Sequence, residues 1–244
     1  MTAEFRFDIQ PQPDETTCGP TCLHAVYRYF GDEVPLRKVI RETQKLEGGG
    51  TLAVLLGLHA LARNYDATIY TYNLQVFDPT WFYADSHVDI EKKLELRDKA
   101  RGIGRLRVAT KAYRSFLSAG GDVRFEELTG RLIRRYLNRK LPILTGLSAT
   151  YLYRSARVGL DGHYDDVAGS PEGHFVVLCG YDQDERVVQV ADPWSENPAR
   201  RPHLYWVSMD RLINAILLGI LTYDANLLLV VPRPPAHASP DRRQ

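Results

Sequence analysis

The sequence predicts an α+β fold, because helical and strand patterns occupy different parts of the chain. Apolar residues recur at helical spacing after Gly19, whereas short apolar runs bounded by glycine and proline dominate after Pro142. The chain has 244 residues, of which 44% are hydrophobic and 25% charged, and this composition suits one large domain with its own core. The expected parts are a helical part over 1–84, a helical insertion over 85–140, a sheet part of antiparallel strands over 141–231, and a disordered tail over 232–244.

Three helices and one strand are expected in the first part of the chain. The first helix begins near Gly19, where Pro20 occupies the first turn and needs no N–H partner. Thr51 is the expected N-cap of the third helix, directly after the triple glycine at 48–50. That glycine run lacks the Lys-Ser/Thr of a phosphate-binding loop, so it predicts a plain loop. The expected helices cover 19–30, 35–43 and 52–64, the strand covers 67–73, and an aromatic loop lies at 78–83.

Residues 85–140 differ from the rest of the chain in charge. They hold 15 Lys and Arg against 8 Asp and Glu, a net charge of +7, whereas the whole chain carries +1 and the other residues therefore sum to −6. Such an excess on helices is usually a solvated face, and the alternative is a basic wall that attracts an acidic substrate or partner. The expected helices in this insertion cover 86–101, 105–119 and 126–140.

After Pro142 the pattern changes to strands. A polar, glycine-containing loop at 154–173 separates the first β run from the others. Ser208 is placed to cap a helix that reaches about Leu218. The expected strands cover 143–153, 174–181, 187–192, 203–207 and 226–231.

The sequence also predicts where the protein works. The N-terminus lacks the basic-then-apolar pattern of a signal peptide, and no apolar run approaches the roughly 20 residues of a membrane span. Three cysteines without an export signal fit free thiols rather than a disulfide framework. With a net charge of +1, the composition points to no nucleic-acid and no membrane partner. We therefore expect a cytoplasmic protein.

Cys18 is the candidate nucleophile. It lies at the predicted start of the first helix, where the helix dipole and free N–H groups favour a thiolate, the nucleophilic form of cysteine. Gln12, six residues upstream, carries an amide that could donate to an oxyanion beside the sulfur. Cys22 follows one helical turn later and is read as core packing, with a resolving thiol or a metal ligand as weaker alternatives.

A cysteine nucleophile needs a base, and the base needs an orienting group. His174 is the strongest of seven histidines, because it begins an apolar strand that would hold its ring rigidly. Asp192 ends the next strand of a predicted hairpin, where its carboxylate could accept from the imidazole. His203, at the start of a later strand, remains an alternative base. The candidate catalytic residues are thus Gln12, Cys18, His174 and Asp192, and the predicted chemistry needs no cofactor and no metal.

Four short segments resemble the papain-like cysteine peptidases, and among them the bacteriocin-processing branch that cleaves double-glycine leader peptides. The segments are Gln12 to Pro20, Gly173 to Val177, Gly180 to Asp182, and Asp192-Pro193. The resemblance implies a papain-like fold in which the cysteine attacks, the histidine is base and acid, the aspartate orients it, and the glutamine supports the oxyanion hole. The chain is similar to stand-alone members, some of which look like partners of ATP-grasp amide ligases, so an amide-ligase pathway partner is also implied.

The predicted activity is hydrolysis of a peptide or amide bond. The substrate is expected to be acidic if the basic insertion contacts it. Two alternatives stay open from the sequence. The same acyl-enzyme could pass to an amine acceptor, as the resemblance to the related phytochelatin synthases implies. A non-catalytic peptide-binding module could also keep this fold, although such modules tend to lose the cysteine or the histidine, and both are present here.

Overall fold

A computed structural model of the chain describes residues 2–47, 49–83 and 88–234. The strands are β1 (Thr2–Glu4), β2 (Tyr65–Thr71), β3 (Asp122–Arg124), β4 (Ile143–Ser148), β5 (Gly173–Asp182), β6 (Val187–Ala191), β7 (Leu204–Ser208) and β8 (Asn226–Pro232). The helices are α1 (Cys18–Tyr29), α2 (Leu36–Glu42), α3 (Ala53–Ala62), α4 (Ile90–Arg101), α5 (Gly104–Ser118), α6 (Gly130–Leu137), α7 (Ala149–Tyr153) and α8 (Met209–Leu218), with 3₁₀ turns at Pro79–Phe82 and Gly219–Thr222. The predicted α+β class is confirmed.

One sheet of eight strands carries helices α1, α3 and α8 against it. Its order is β3-β2-β8-β4-β5-β6-β7, and β1 pairs with the far end of β5. All pairings are antiparallel except that of β2 with β3. The sequence predicted a sheet part over 141–231, but the sheet also includes β1, β2 and β3, which lie earlier in the chain. Strand β2 pairs with β8 along its whole length, from Tyr65 opposite Pro232 to Thr71 opposite Asn226, because the polar backbone of an otherwise open edge needs a partner.

Two local predictions are wrong because a side-chain hydroxyl group bonds to a different backbone group from the one expected. The predicted strand over 143–153 ends at Ser148, because the Ser148 hydroxyl accepts from the Tyr151 N–H and thereby caps α7. Thr51 does not cap α3; its hydroxyl donates to the Gln44 carbonyl at 2.9 Å, and Leu52 takes the cap position. Ser208 does cap α8, as predicted.

The insertion contains the three expected helices, α4, α5 and α6, and in addition the short strand β3. These helices share the main hydrophobic core of the protein. Leu94, Phe116 and Ile133 are fully buried, and Phe116 packs so closely on Gly57 of α3 that a Cβ there would lie 2.7 Å from its ring. The insertion is thus an integral layer of the fold.

The ends of two predictions fall outside the described residues. The first two residues of the expected 86–101 helix and residues 235–244 of the expected tail are not described. Pro232, the first residue of that expected tail, is instead the last residue of β8. Within the described ranges, no helix combines the length and the apolar character that crossing a membrane requires.

Candidate active site

Cys18 is the first residue of α1, as the sequence predicted, and it is partly exposed. The first intrahelical bond at this end runs from the Thr21 N–H to the Thr17 carbonyl. The Cys18 and Gly19 N–H groups therefore have no partner within the helix, and Pro20 has none to offer. Free N–H groups at a helix start provide positive partial charge beside the sulfur.

Gly19 lets the start of α1 approach the sheet closely. A Cβ at this position would lie 2.7 Å from Thr51 Cγ2 and 3.2 Å from both Leu56 Cδ1 and Phe175 Cδ2. Cys22, one turn further along, donates its thiol proton to the Phe175 carbonyl at 3.2 Å and is fully buried. Burial raises the pKa of the Cys22 thiol well above its usual range, which fits core packing. Together these contacts fix Cys18 beside the first residues of β5.

His174, the second residue of β5, lies between Cys18 and Asp192. Its Nε2 is 2.9 Å from Asp192 Oδ1, and the neighbouring Cys18 thiol helps to raise the pKa of its imidazole. A carboxylate can only accept, so Nε2 carries the proton of this bond and Nδ1 is the nitrogen left to exchange a proton with the thiol. The structure thus brings together three of the four predicted catalytic residues in the order nucleophile, imidazole and carboxylate.

The Asp192 carboxylate accepts four hydrogen bonds inside the protein. Oδ1 accepts from His174 Nε2 and from the Trp194 N–H, at 2.9 Å each. Oδ2 accepts from the hydroxyl groups of Tyr153 at 2.6 Å and Tyr205 at 2.7 Å. Four donors fill the acceptor capacity of a carboxylate, and the residue is completely buried. This carboxylate is therefore held as a fixed, ionised acceptor.

The charged forms of His174 and Asp192 stabilise each other. Burial opposes ionisation of both Asp192 and His174, but their mutual attraction and hydrogen bonds outweigh it. The pKa of Asp192 is consequently lowered and that of His174 is raised. Burial and the Asp192 charge also raise the pKa of Tyr153 and Tyr205, so both phenols remain protonated donors. An imidazolium beside Cys18 favours the thiolate.

Gln12 bonds both to the segment after Asp192 and to the turn before Cys18. Its backbone N–H donates to the Pro193 carbonyl at 2.9 Å, directly after Asp192. Its side-chain Nε2 donates to the Asp14 carbonyl at 3.0 Å, and no partner for its buried Oε1 is found in the described part of the chain. One of the two amide N–H groups is thereby used, and the other is free to serve an oxyanion. The role predicted for Gln12 stays a prediction.

His203 is not paired with the Asp192 carboxylate. Its Nδ1 lies 2.6 Å from the Asp192 carbonyl, and the Asp192 N–H donates to the His203 carbonyl at 2.8 Å. This histidine therefore braces the backbone of the aspartate. His24 and His59 are buried in helices, with His59 Nδ1 2.8 Å from the Tyr27 hydroxyl, while His87 and His237 lie outside the described residues.

Sequence reasoning missed the two tyrosines that hold Asp192. Tyr205 is the second residue of β7, and Tyr153 ends α7, so neither is near Asp192 in a recognisable pattern. Trp194 completes the surround, since its ring centroid is 5.6 Å from those of both His174 and Tyr153. Trp194, an aromatic residue two positions after Asp192, was the available sequence signal that aromatic rings surround this carboxylate.

Two more carboxyl groups lie close to this site. Burial, helped by the Glu15 charge, raises the pKa of the half-buried Glu172, which precedes Gly173. Burial also raises the pKa of Asp224 to about 7. A Cβ at Gly173 would lie 2.6 Å from Asp224 Oδ2, so this carboxyl packs directly on the residue before His174.

Comparison with known proteins identifies the family of the chain. A model of the protein family described as "Peptidase_C39 like family" matches residues 5–211. No curated protein sequence matches the chain. Of solved structures, the chain is similar to the peptidase domain of Streptococcus ComA, a bifunctional ABC transporter involved in a quorum-sensing pathway (12% identity, 93% of this chain and 100% of that chain, TM-score 0.43).

Two further solved structures are similar at the same low level of identity. One is a putative C39-like peptidase from Bacillus anthracis (14% identity, 96% of this chain and 98% of that chain, TM-score 0.48). The other is xylellain, a cysteine protease from Xylella fastidiosa (14% identity, 95% of this chain and 85% of that chain, TM-score 0.40). The family match confirms the resemblance that the short sequence segments predicted.

Proposed function

Because this chain belongs to the Peptidase_C39-like family, which has a papain-like fold, we propose that it is a cysteine peptidase or amidase. It cleaves a peptide or amide bond through a covalent acyl-enzyme on Cys18. The observation that supports this most is the buried Asp192 carboxylate, whose four donors include His174, the neighbour of the Cys18 thiol. A purely structural aspartate would not need an imidazole poised between it and a partly exposed thiol.

The first half of the reaction forms the acyl-enzyme. His174 Nδ1 takes the thiol proton, and the Cys18 sulfur attacks the substrate carbonyl carbon as the C=O electron pair moves onto oxygen. The resulting oxyanion accepts hydrogen bonds from the Cys18 backbone N–H and from the free amide N–H of Gln12. When the C–N bond breaks, His174 returns the proton to the leaving amine.

The second half releases the acyl group. A water molecule gives a proton to His174 and attacks the thioester, and collapse of the second oxyanion expels the Cys18 sulfur, which regains the proton. Asp192 is not protonated in either half, because its role is to hold the imidazole tautomer and stabilise the imidazolium. An amine in place of this water would give transfer rather than hydrolysis.

Selective alkylation tests the nucleophile. Limiting iodoacetamide at neutral pH should label Cys18 first, because its sulfur is partly exposed and lies beside an imidazolium. Cys22 and Cys179 are buried and serve as internal controls in the same peptide map. Preferential labelling of either would remove the basis of the proposal. The label on Cys18 should also fall when His174 is replaced by alanine.

Turnover tests the roles. On a panel of peptides and amides, including peptides with a Gly-Gly scissile site, Cys18→Ala and His174→Ala should lose nearly all activity. Asp192→Asn should keep a small residual rate, since an orienting group is less essential than a nucleophile or a base. His203→Ala is the matched control and should stay within a few-fold of wild type. An active His174→Ala with an inactive His203→Ala would transfer the base role to His203.

Product analysis separates hydrolysis from transfer. We expect the free acid as the product in water, with little change when an amine is added. Dominant amide formation with added amines would identify an acyltransferase that uses the same acyl-enzyme. Binding of a peptide without turnover, in a protein whose Cys18 resists alkylation, would identify a non-catalytic module.

A further inference from the structure

Helix α5 divides its residues between the core and a positively charged surface. Leu106, Ala109 and Phe116 face inward and are buried. Arg107 and Lys111 are exposed and lie one turn apart, so they share one side of the helix. Arg105 adds a third exposed cation at the start of the helix, where the helix dipole is also positive.

A loop of residues 44–47 and 49–51, here called the 44–51 loop, presents its first four residues to this side of α5. The Thr51 hydroxyl donates to the Gln44 carbonyl, and the Leu46 N–H donates to the Gly50 carbonyl at 3.1 Å, so the loop is closed by its own hydrogen bonds. Between the loop and α5 lies a groove of about 560 Å³, a volume typical of ligand sites. We call it the basic groove; its cations are Lys45, Arg105, Arg107 and Lys111, and Glu47 is the one carboxylate that lines it.

The cations of the basic groove are poorly neutralised. Within the described ranges, Lys45, Arg105 and Lys111 have no carboxylate oxygen closer than 4.0 Å, and Arg107 has a 3.6 Å contact with Asp98. Several cations elsewhere in the insertion are engaged. Lys92 and Lys99 both pair with Glu95, Arg135 pairs with Glu126, and Arg134 lies over the Tyr181 ring. The groove therefore gathers three cations that have no ion pair among the described residues.

One wall of the basic groove is built on the residues beside Cys18. A Cβ at Gly49 would lie 2.7 Å from Thr16 Cγ2, and Thr51 packs on Gly19 at the same distance. These two contacts flank the candidate nucleophile in the sequence. The Lys45 charge also helps to lower the pKa of Asp14, after the Thr16 hydrogen bond that is its main cause. The loop wall thus continues directly into the candidate active site.

Arg105, on the other wall, is near Asp224. Its charge opposes the burial that raises the pKa of Asp224, and Asp224 Oδ2 packs on Gly173, the residue before His174. Glu15 and Glu172 lie beside the site and would repel acidic groups next to the scissile bond. A negatively charged segment would therefore avoid the site itself and bind in the adjoining groove.

We propose that the basic groove binds an acidic segment of the peptide substrate, away from the bond that is cleaved. The inference rests on the proposed function, because it treats the groove as an extension of the Cys18 site. It assigns the substrate class that the charge of the insertion selects: a peptide with glutamate or aspartate side chains at a distance from the scissile carbonyl. It also locates the interaction on α5 and the 44–51 loop, whereas the sequence indicated only the insertion as a whole.

Peptide binding to a Cys18→Ala protein tests the inference without turnover. The probes are a fluorescein-labelled glutamate-rich peptide and its glutamine counterpart, followed by fluorescence anisotropy at about 50 mM and about 500 mM salt. The groove variant is Arg105→Glu with Lys111→Glu. The control is Arg131→Glu with Arg139→Glu, which makes the same change in net charge at two exposed positions on and just after α6. Thermal melting establishes that both variants are folded.

We expect the glutamate peptide to bind more tightly than the glutamine peptide at low salt. The groove variant should lose about tenfold in affinity for it, the control less than about threefold, and high salt should remove most of the difference. Equal binding of the two peptides, or equal losses in both variants, overturns the inference. Reactive Cys18 with no charge preference would refute the groove alone; charge-dependent binding with an inert Cys18 would refute the peptidase proposal and leave the groove as an acidic-peptide site.

Discussion

Replacing Tyr205 by phenylalanine tests how strongly the hydroxyl donors hold Asp192. The change removes one of the two donors to Oδ2 and leaves the Tyr153 hydroxyl in place. A buried hydrogen bond to a charged group contributes about 1.5–3 kcal/mol, and the partner left behind here is fully buried. We therefore expect the free energy of unfolding at pH 7 to fall by about 2 kcal/mol.

Urea unfolding followed by tryptophan fluorescence measures this change. With a slope of about 2–3 kcal/mol per molar urea, the midpoint should fall by roughly 1 M. Tyr72→Phe is the matched control, since the buried Tyr72 hydroxyl has no hydrogen-bond partner in the described part of the chain. That substitution should leave the midpoint unchanged or raise it.

The loss of stability in Tyr205→Phe should depend on pH. In the folded protein the pKa of Asp192 is lowered, so its stabilising contribution is present above the ordinary carboxyl range and is lost as pH falls through the folded pKa. The variant should raise that pKa towards its ordinary value. Its deficit should thus be complete at pH 7 and shrink below about pH 4. Equal midpoints for Tyr205→Phe and wild type, or equal losses for Tyr205→Phe and Tyr72→Phe, would refute this reasoning.

Asp224 and Gly173 give two further predictions. Burial raises the pKa of Asp224 to about 7, so this carboxyl costs stability as pH rises from its unfolded value near 3.8 to that point. Asp224→Asn should therefore match wild type near pH 4 and be more stable at pH 8, by up to about 4 kcal/mol, in urea unfolding at both pH values. An equal difference at both pH values would contradict the assignment. Gly173→Ala should destabilise the fold by about 1–3 kcal/mol and reduce kcat, because its Cβ would meet Asp224 and Thr222 at 2.6 Å beside His174. Gly130→Ala, whose Cβ would approach no described neighbour more closely than Met209, at 3.3 Å, is the control, and equal losses in both variants would exclude the clash.

The sequence by itself determined the local features of the candidate site. A polar turn followed by Gly-Pro and helical apolar spacing placed Cys18 at the start of α1, because helix termini have their own residue preferences. Strand patterns likewise placed His174 at the start of β5 and Asp192 just after β6, which form the predicted hairpin. Short-range backbone preferences are sufficient for each of these positions, and the match of short segments to a family supplied their grouping.

Only the tertiary structure decided which groups surround them. Tyr153 and Tyr205 reach Asp192 because α7 leaves the sheet at Ser148 and because β7 pairs with β6. The pairing of β2 with β8 and the packing of α5 opposite the 44–51 loop were equally outside the reach of the sequence pattern. Periodicity shows which side of an element is buried, but it carries no information about the partner, which depends on strand register and on how distant segments fill a common core.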